Sequence, residues 1–142
     1  MKLVDANVLL YAVNEAGPNH EAARTWLDSH LGGQESVGFA WVVVLAFLRI
    51  ATRPEVFSRP LTVEEATGTV AYWLDQPPAV SVEPTPRHFT LLAGLLKDSG
   101  AGGNLVTDAH LAALALDHQA TVVTFDRDFA RFGSVRWEAP SV

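Results

Sequence analysis

Thr121-Val122-Val123-Thr124-Phe125-Asp126-Arg127-Asp128 is a short β-branched run that ends in two carboxylates, and Leu3-Val4-Asp5 repeats that layout at the other end of the chain. Each reads as a strand that delivers acid to its carboxyl end. Further strand signals fall at Ser36-Val37-Gly38-Phe39 and Ala79-Val80-Ser81-Val82, with a weak fifth at Val135-Arg136-Trp137. Helical periodicity fills the intervals. Ala22, Ala23, Trp26, Leu27 and Leu31 make one apolar face behind Asn19 as an N-cap, and Trp41 to Thr52 forms the next helix, stopped near Pro54. Leu61 to Gln76 carries capping-box spacing at Thr62 and Glu65. Thr85-Pro86 reads as N-cap and N1 of a helix bearing Phe89, Leu92, Leu95 and Leu96 and ending near Gly100; a last helix runs from about Thr107 to His118. Strands separated by helices cannot pair as hairpins. The order therefore predicts an α/β fold, a three-layer α/β/α domain with a mainly parallel central sheet.

The chain has 142 residues, 49% of them hydrophobic and 18% charged, which suits a single domain spanning 1–142 with one core. Without cysteine it has no disulfide, thiolate metal site or catalytic thiol. Ten Lys and Arg against sixteen Asp and Glu give a net charge of −6, so no global field draws the chain to nucleic acid. A nucleic-acid substrate would need local basic surface or bound cations. The longest apolar run, Phe39 to Leu48, stops at Arg49, far short of a bilayer span. A cytoplasmic location without membrane attachment is the expectation.

Parallel α/β sheets gather functional groups at the carboxyl ends of their strands. Asp5, Asp126 and Asp128 fall there, and Asp108 joins them at the start of the last helix, at N1 with Thr107 as N-cap. Carboxylates this close repel one another unless a cation neutralises them. Oxygen-only ligands favour Mg2+ or Mn2+, ions that activate water and stabilise charge on a phosphoryl oxygen. Phosphodiester hydrolysis is the reaction to expect. Each residue also has a bland reading. Asp5 with Asn7 fits an ordinary loop pair, Asp108 a dipole partner, Asp126 and Asp128 caps of a short turn, and Thr124 a satisfied strand-end hydroxyl.

The chain resembles the PIN-domain proteins, and among them the VapC-type ribonuclease toxins. The resemblance rests on Val4-Asp5-Ala6-Asn7-Val8-Leu9-Leu10-Tyr11-Ala12, Ala46-Phe47-Leu48-Arg49-Ile50, Thr107-Asp108-Ala109-His110-Leu111-Ala112-Ala113 and Thr124-Phe125-Asp126-Arg127-Asp128-Phe129, four blocks in family order over nearly the whole chain. It implies Asp5, Asp108 and Asp126 as catalytic residues. Asp5 and Asp108 would be the principal metal ligands, completed by Asp126 and Asp128 and supported by Asn7 and Thr124. It also implies Mg2+ or Mn2+ as cofactor and RNA as substrate, cut by in-line attack of water to leave a 5′-phosphate and a 3′-hydroxyl. A VapB-type antitoxin lying across the cleft and a homodimer are its implied partners. One position departs from the family pattern: Ala46 stands where a glutamate is usual, three residues before Arg49. The alternative function is therefore a catalytically weakened binding or regulatory module.

Arg49 has two readings, a partner of the site or of an RNA phosphate, and an anchor of the buried acids. Arg53, Arg59, Arg87, Arg127 and Arg131 offer local phosphate-binding surface or simple solvated charge. His20, His88 and His110 match no metal spacing. Trp26, Trp41, Trp73 and Trp137 lie on apolar faces, so core packing is expected, and exposure of Trp26 or Trp73 would mark an interface. A phosphatase or receiver-type site is disfavoured, because it needs a nearby lysine and the chain has only Lys2 and Lys97.

Overall fold

A computed structural model describes residues 1–55, 59–100 and 102–141. β1 (Lys2–Val4) and β4 (Thr121–Val123) pair in parallel at the centre, with Leu3 opposite Val122 and Val4 opposite Val123. β2 (Val37–Ala40) lies against the other side of β1 and is followed outward by β3 (Ala79–Val82), while β5 (Trp137–Glu138) extends the sheet beyond β4. The order is β3-β2-β1-β4-β5, parallel throughout. The chain builds β2 and β3 on one side of β1 and then returns to lay β4 and β5 on the other. The reversal between β1 and β4 leaves a crevice at their carboxyl ends, where a doubly wound sheet binds its ligands.

Six helices flank this sheet among the described residues: α1 (Ala6–Val13), α2 (His20–Leu31), α3 (Trp41–Ala51), α4 (Val63–Leu74), α5 (His88–Ser99) and α6 (Val106–Asp117). None is long and apolar enough to cross a membrane. Leu3, Val4, Val122 and Val123 are fully buried in the central pair, each contributing roughly 1.5–3 kcal/mol by leaving water. On α6, Ala109, Leu111, Ala112, Ala113, Leu114 and Ala115 are all buried. Its alanines let this helix pack closely from more than one side.

Several local expectations hold. The capping box is complete: Thr62 Oγ1 accepts from Glu65 N–H and Glu65 Oε1 from Thr62 N–H, both at 3.0 Å. Bonds to that helix end hold the Glu65 carboxyl below its usual range. Gly100, left-handed at φ 65°, ends α5 where an L side chain would be strained.

Others need correction. α1 has no counterpart in the sequence reading, because Ala6 to Val13 is almost wholly apolar and masks its period; the strand passes straight into it with Asp5 as N-cap. α5 begins at His88, since Thr85 Oγ1 accepts from Arg87 N–H in a turn and donates to the Asp117 carboxylate rather than capping a helix. α6 begins at Val106, because a 3-10 turn over Gly103–Leu105 leads directly into it; Thr107 and Asp108 are its second and third residues. Asn19 sits at the N-cap of α2 but makes no side-chain cap bond. Trp26 and Trp73 are buried, whereas Trp41 is 55% exposed at the start of α3, on the same outward row as Leu45 and Arg49.

Gly38 is required by the sheet's packing. A Cβ there would lie 2.6 Å from Val82 Cγ2 and 3.2 Å from Leu3 Cδ1 and Met1 Sδ. Gly38→Ala should therefore destabilise the fold by about 1–3 kcal/mol in urea unfolding. A neutral result would mean that β2 and β3 are free to move apart.

Candidate active site

The acidic edge is organised around Thr124, a fully buried residue just past β4. Its hydroxyl donates to Asp5 Oδ2 at 2.8 Å and accepts from Asp126 N–H at 2.9 Å and from Asn7 Nδ2 at 3.0 Å. That uses every bonding position a hydroxyl has. Asp5 Oδ1 accepts from Ala6 N–H at 2.7 Å, and Asn7 Oδ1 accepts from Phe125 N–H at 3.0 Å. The segments after β1 and β4 are thus sewn together by side chains where the backbone ladder stops.

Asp126 caps the short 3-10 helix Arg127–Arg131 by accepting from Asp128 N–H at 2.9 Å, and it lies near enough to the Asp108 carboxyl to raise it. Asp128 is exposed at the margin, 3.9 Å from Arg131. Asp108 remains in the first turn of α6, so the helix dipole still favours its charge. Burial is nevertheless the larger influence. Together with the charges of Asp5, Asp126 and Asp128, it raises the Asp108 carboxyl to about 6. Burial also raises Asp5, against the bonds from Thr124 and Ala6, and the Asp126 charge adds to the effect. Asp5, Asp108 and Asp126 are therefore close enough to feel one another. Among the described residues, no three His, Cys, Asp or Glu side chains are gathered closely enough to hold an ion unaided.

Ala46 faces this cluster. With Asp5, Ala6, Val42, Val43, Thr107, Asp108 and Leu111 it lines a cavity of about 50 Å3, which has room for water. Arg49, one turn further along α3, is exposed and forms no ion pair among the described residues, so the structure does not bring it into the cluster. A larger cleft of about 530 Å3 near Glu15, Arg59 and Glu65 contains none of the four aspartates. The reading of single residues missed one pair: His88 Nε2 lies 2.8 Å from His110 Nδ1, joining α5 to α6. Burial and the His88 ring lower the His110 pKa. Twenty-two positions separate the two rings in the chain, and no spacing rule links them.

Comparison with known proteins bears on the family and the fold. The PIN domain family model matches residues 2–135. Ribonuclease VapC37 of Mycobacterium tuberculosis is 55% identical over 140 residues, covering 99% of this chain and 97% of the relative. Ribonuclease VapC31 of the same species is 42% identical, with 99% of each chain covered. Among solved structures, VapBC2 from Rickettsia felis, bound to a fragment of its promoter DNA, superposes with a TM-score of 0.71 at 17% identity over 99% of this chain and 98% of that one. Mycobacterium tuberculosis VapC20, a sarcin-ricin loop cleaving toxin, gives 0.66 at 18% identity over 96% and 99%. At such identities the solved structures establish the fold.

The raised Asp108 carboxyl has a signed consequence. Between its ordinary value of 3.8 and about 6, the folded state holds more proton at Asp108 than the unfolded chain does, so rising pH through that window destabilises the metal-free fold. In EDTA, Asp108→Asn should melt higher than the parent at about pH 7, and that advantage should shrink towards about pH 4. An advantage independent of pH would show that repulsion is not its source.

Proposed function

The chain belongs to the PIN-domain family and, within it, to the VapC ribonucleases, and from that premise we propose that it is a divalent-metal-dependent endoribonuclease toxin acting through Asp5, Asp108 and Asp126, with Asp128 at the margin. The observation that carries this reading is electrostatic. Burial and three neighbouring carboxylates raise Asp108 to about 6, a strain that a hard cation relieves and apolar packing does not. The donor set fits Mg2+ or Mn2+. It is all oxygen, it offers fewer than three ready ligands, and the adjoining cavity admits water, as ions that retain much of their hydration require. Asp5 and Asp108 would hold the ion, with Asp126 and Asp128 supporting. Once bound, such an ion makes water more acidic and stabilises charge on a phosphoryl oxygen.

The chain's own residues prepare that chemistry. Thr124 and the Ala6 N–H hold Asp5 in one orientation, and Asn7 ties the segment after β4 to the start of α1. The Asp108 carboxyl, raised by burial and its acidic neighbours, holds a proton below a pH of about 6 and releases it above. Arg49, exposed on α3, is left for an RNA phosphate rather than for the carboxylates. The 142 residues act as one cytoplasmic unit in this reading. A VapB-type antitoxin is the proposed inhibitor, and a net charge of −6 suits a basic segment laid across the cleft. A second copy of the chain is the other proposed partner, supported by the exposed apolar side chains Trp41, Leu45 and Phe89.

Purified protein free of antitoxin should cut RNA in Mg2+ or Mn2+, and Asp5→Asn should slow cleavage by a factor on the order of 100 or more without altering the far-UV spectrum. Equal rates for the two proteins would end this assignment. A second reading is favoured by Ala46, which leaves the cluster one carboxylate short: a binding module with weak catalysis. Ala46→Glu should tighten Mn2+ binding about tenfold in calorimetry and speed cleavage. If both stay unchanged, position 46 lies outside the metal's reach.

A further inference from the structure

Phe125 and Arg127, the chain neighbours of Asp126, line an open cleft of about 480 Å3 with Asn19, Trp137, Glu138 and Ala139. Its size falls in the usual range for small-molecule sites, roughly 300–1,000 Å3. Its walls carry a particular chemistry. Phe125 is half-buried and held in place, its N–H bonded to Asn7 Oδ1 and its ring meeting Tyr11 edge-on at 5.4 Å. Trp137 is half-buried on the edge strand β5. Arg127 is exposed and has no ion-pair partner among the described residues. The cleft's acid, Glu138, is neutralised by Lys2. Asn19 makes no cap bond, and among the described residues its amide has no hydrogen-bond partner, so donor and acceptor are both available there.

Two aromatic faces, an unpaired guanidinium and a free amide form the set with which proteins hold unstacked nucleotides: rings stack on the base, an amide reads its edge and a cation meets the phosphate. Trp137 packs against the core yet stays half-buried at the cleft, and Asn19 makes no cap bond to its own helix. We infer that this cleft is a nucleotide subsite receiving one unstacked base of single-stranded RNA beside the acidic cluster. Phe125 and Trp137 are its stacking faces, Asn19 contacts the base edge and Arg127 holds an adjoining phosphate. The inference rests on the ribonuclease reading and specifies how that enzyme grips its substrate.

The test is steady-state cleavage of short, end-labelled single-stranded RNA of random sequence, followed by sequencing of the cut ends. Trp137→Leu should raise KM about 5- to 100-fold with kcat far less affected, and Trp137→Phe should recover most of the loss. Asn19→Ala, a change outside the core, should redistribute the bases found beside the cut. Arg127→Gln should raise KM and weaken its dependence on salt. Tyr72→Leu, at an exposed ring on α4, should alter none of these. The subsite is overturned if KM stays within about twofold in Trp137→Leu, or if kcat alone falls. It is equally overturned if Trp137→Leu and Arg127→Gln cleave RNA normally yet lose affinity for the C-terminal peptide of a VapB-type antitoxin, which would make the cleft a protein site. Should Trp137→Leu fail to fold, Asn19→Ala and Arg127→Gln decide, and unchanged cut sites and KM in both reject the subsite. Failure of the parent protein to cleave any RNA would instead remove the ribonuclease reading on which this one stands.

Discussion

The Thr124 hydroxyl joins the two halves of the acidic edge, and the geometry there depends on it. It donates to the Asp5 carboxylate past one strand and accepts from the Asp126 backbone N–H past the other and from the Asn7 amide between them. This is possible because β1 and β4 are adjacent and parallel, so that Val4 faces Val123 and both strands release their chains on the same side. Valine has nearly the same shape as threonine but lacks the oxygen. In its place, three polar groups would lose a partner in a buried setting, where each unmade bond costs roughly 1–3 kcal/mol. A strand-end threonine usually indicates only a satisfied hydroxyl; at this crossover it sets the spacing of two carboxylates.

Those carboxylates are held under tension. Burial raises both Asp5 and Asp108, and neighbouring carboxylates push in the same direction, while at Asp5 the bonds from Thr124 and Ala6 push back. The fold accepts this because the surrounding core is dense: the central strands are fully buried and α6 is packed on several sides. Local rules of stability are broken at one place and compensated elsewhere, as expected where a protein keeps a reactive site. The Ala46 cavity belongs to the same balance. An alanine there adds no further charge to an already repulsive cluster, at the cost of a ligand.

Much of this was legible residue by residue. Apolar runs located the first four strands, the weak fifth signal at Val135-Arg136-Trp137 meets β5 only at Trp137, and the spacing of Thr62 and Glu65 announced a helix start that is built as read. Asp5, Asp108 and Asp126 were legible because acids at strand and helix ends fall on one edge of a parallel sheet. Other features were hidden for identifiable reasons. α1 is too uniformly apolar to show a period. Thr85 offers its oxygen to a turn and to Asp117 instead of a helix. Trp41 looks like core by type, yet it occupies the outward row of α3.

By itself the sequence determined the type and order of the elements other than α1 and the all-oxygen character of the acidic cluster, because these follow from local periodicity and side-chain chemistry, while the glutamate absent at Ala46 was legible only against the family pattern. Tertiary structure alone decided which carboxylates come close enough to raise one another, that Arg49 stands apart from them, that His88 meets His110, and that Asn19, Phe125 and Trp137 border one cleft. Such facts depend on strand order and helix rotation, which bring together groups more than a hundred residues apart, as with Asn7 and Thr124. No property of either residue encodes that distance. It follows from the packing of the whole chain.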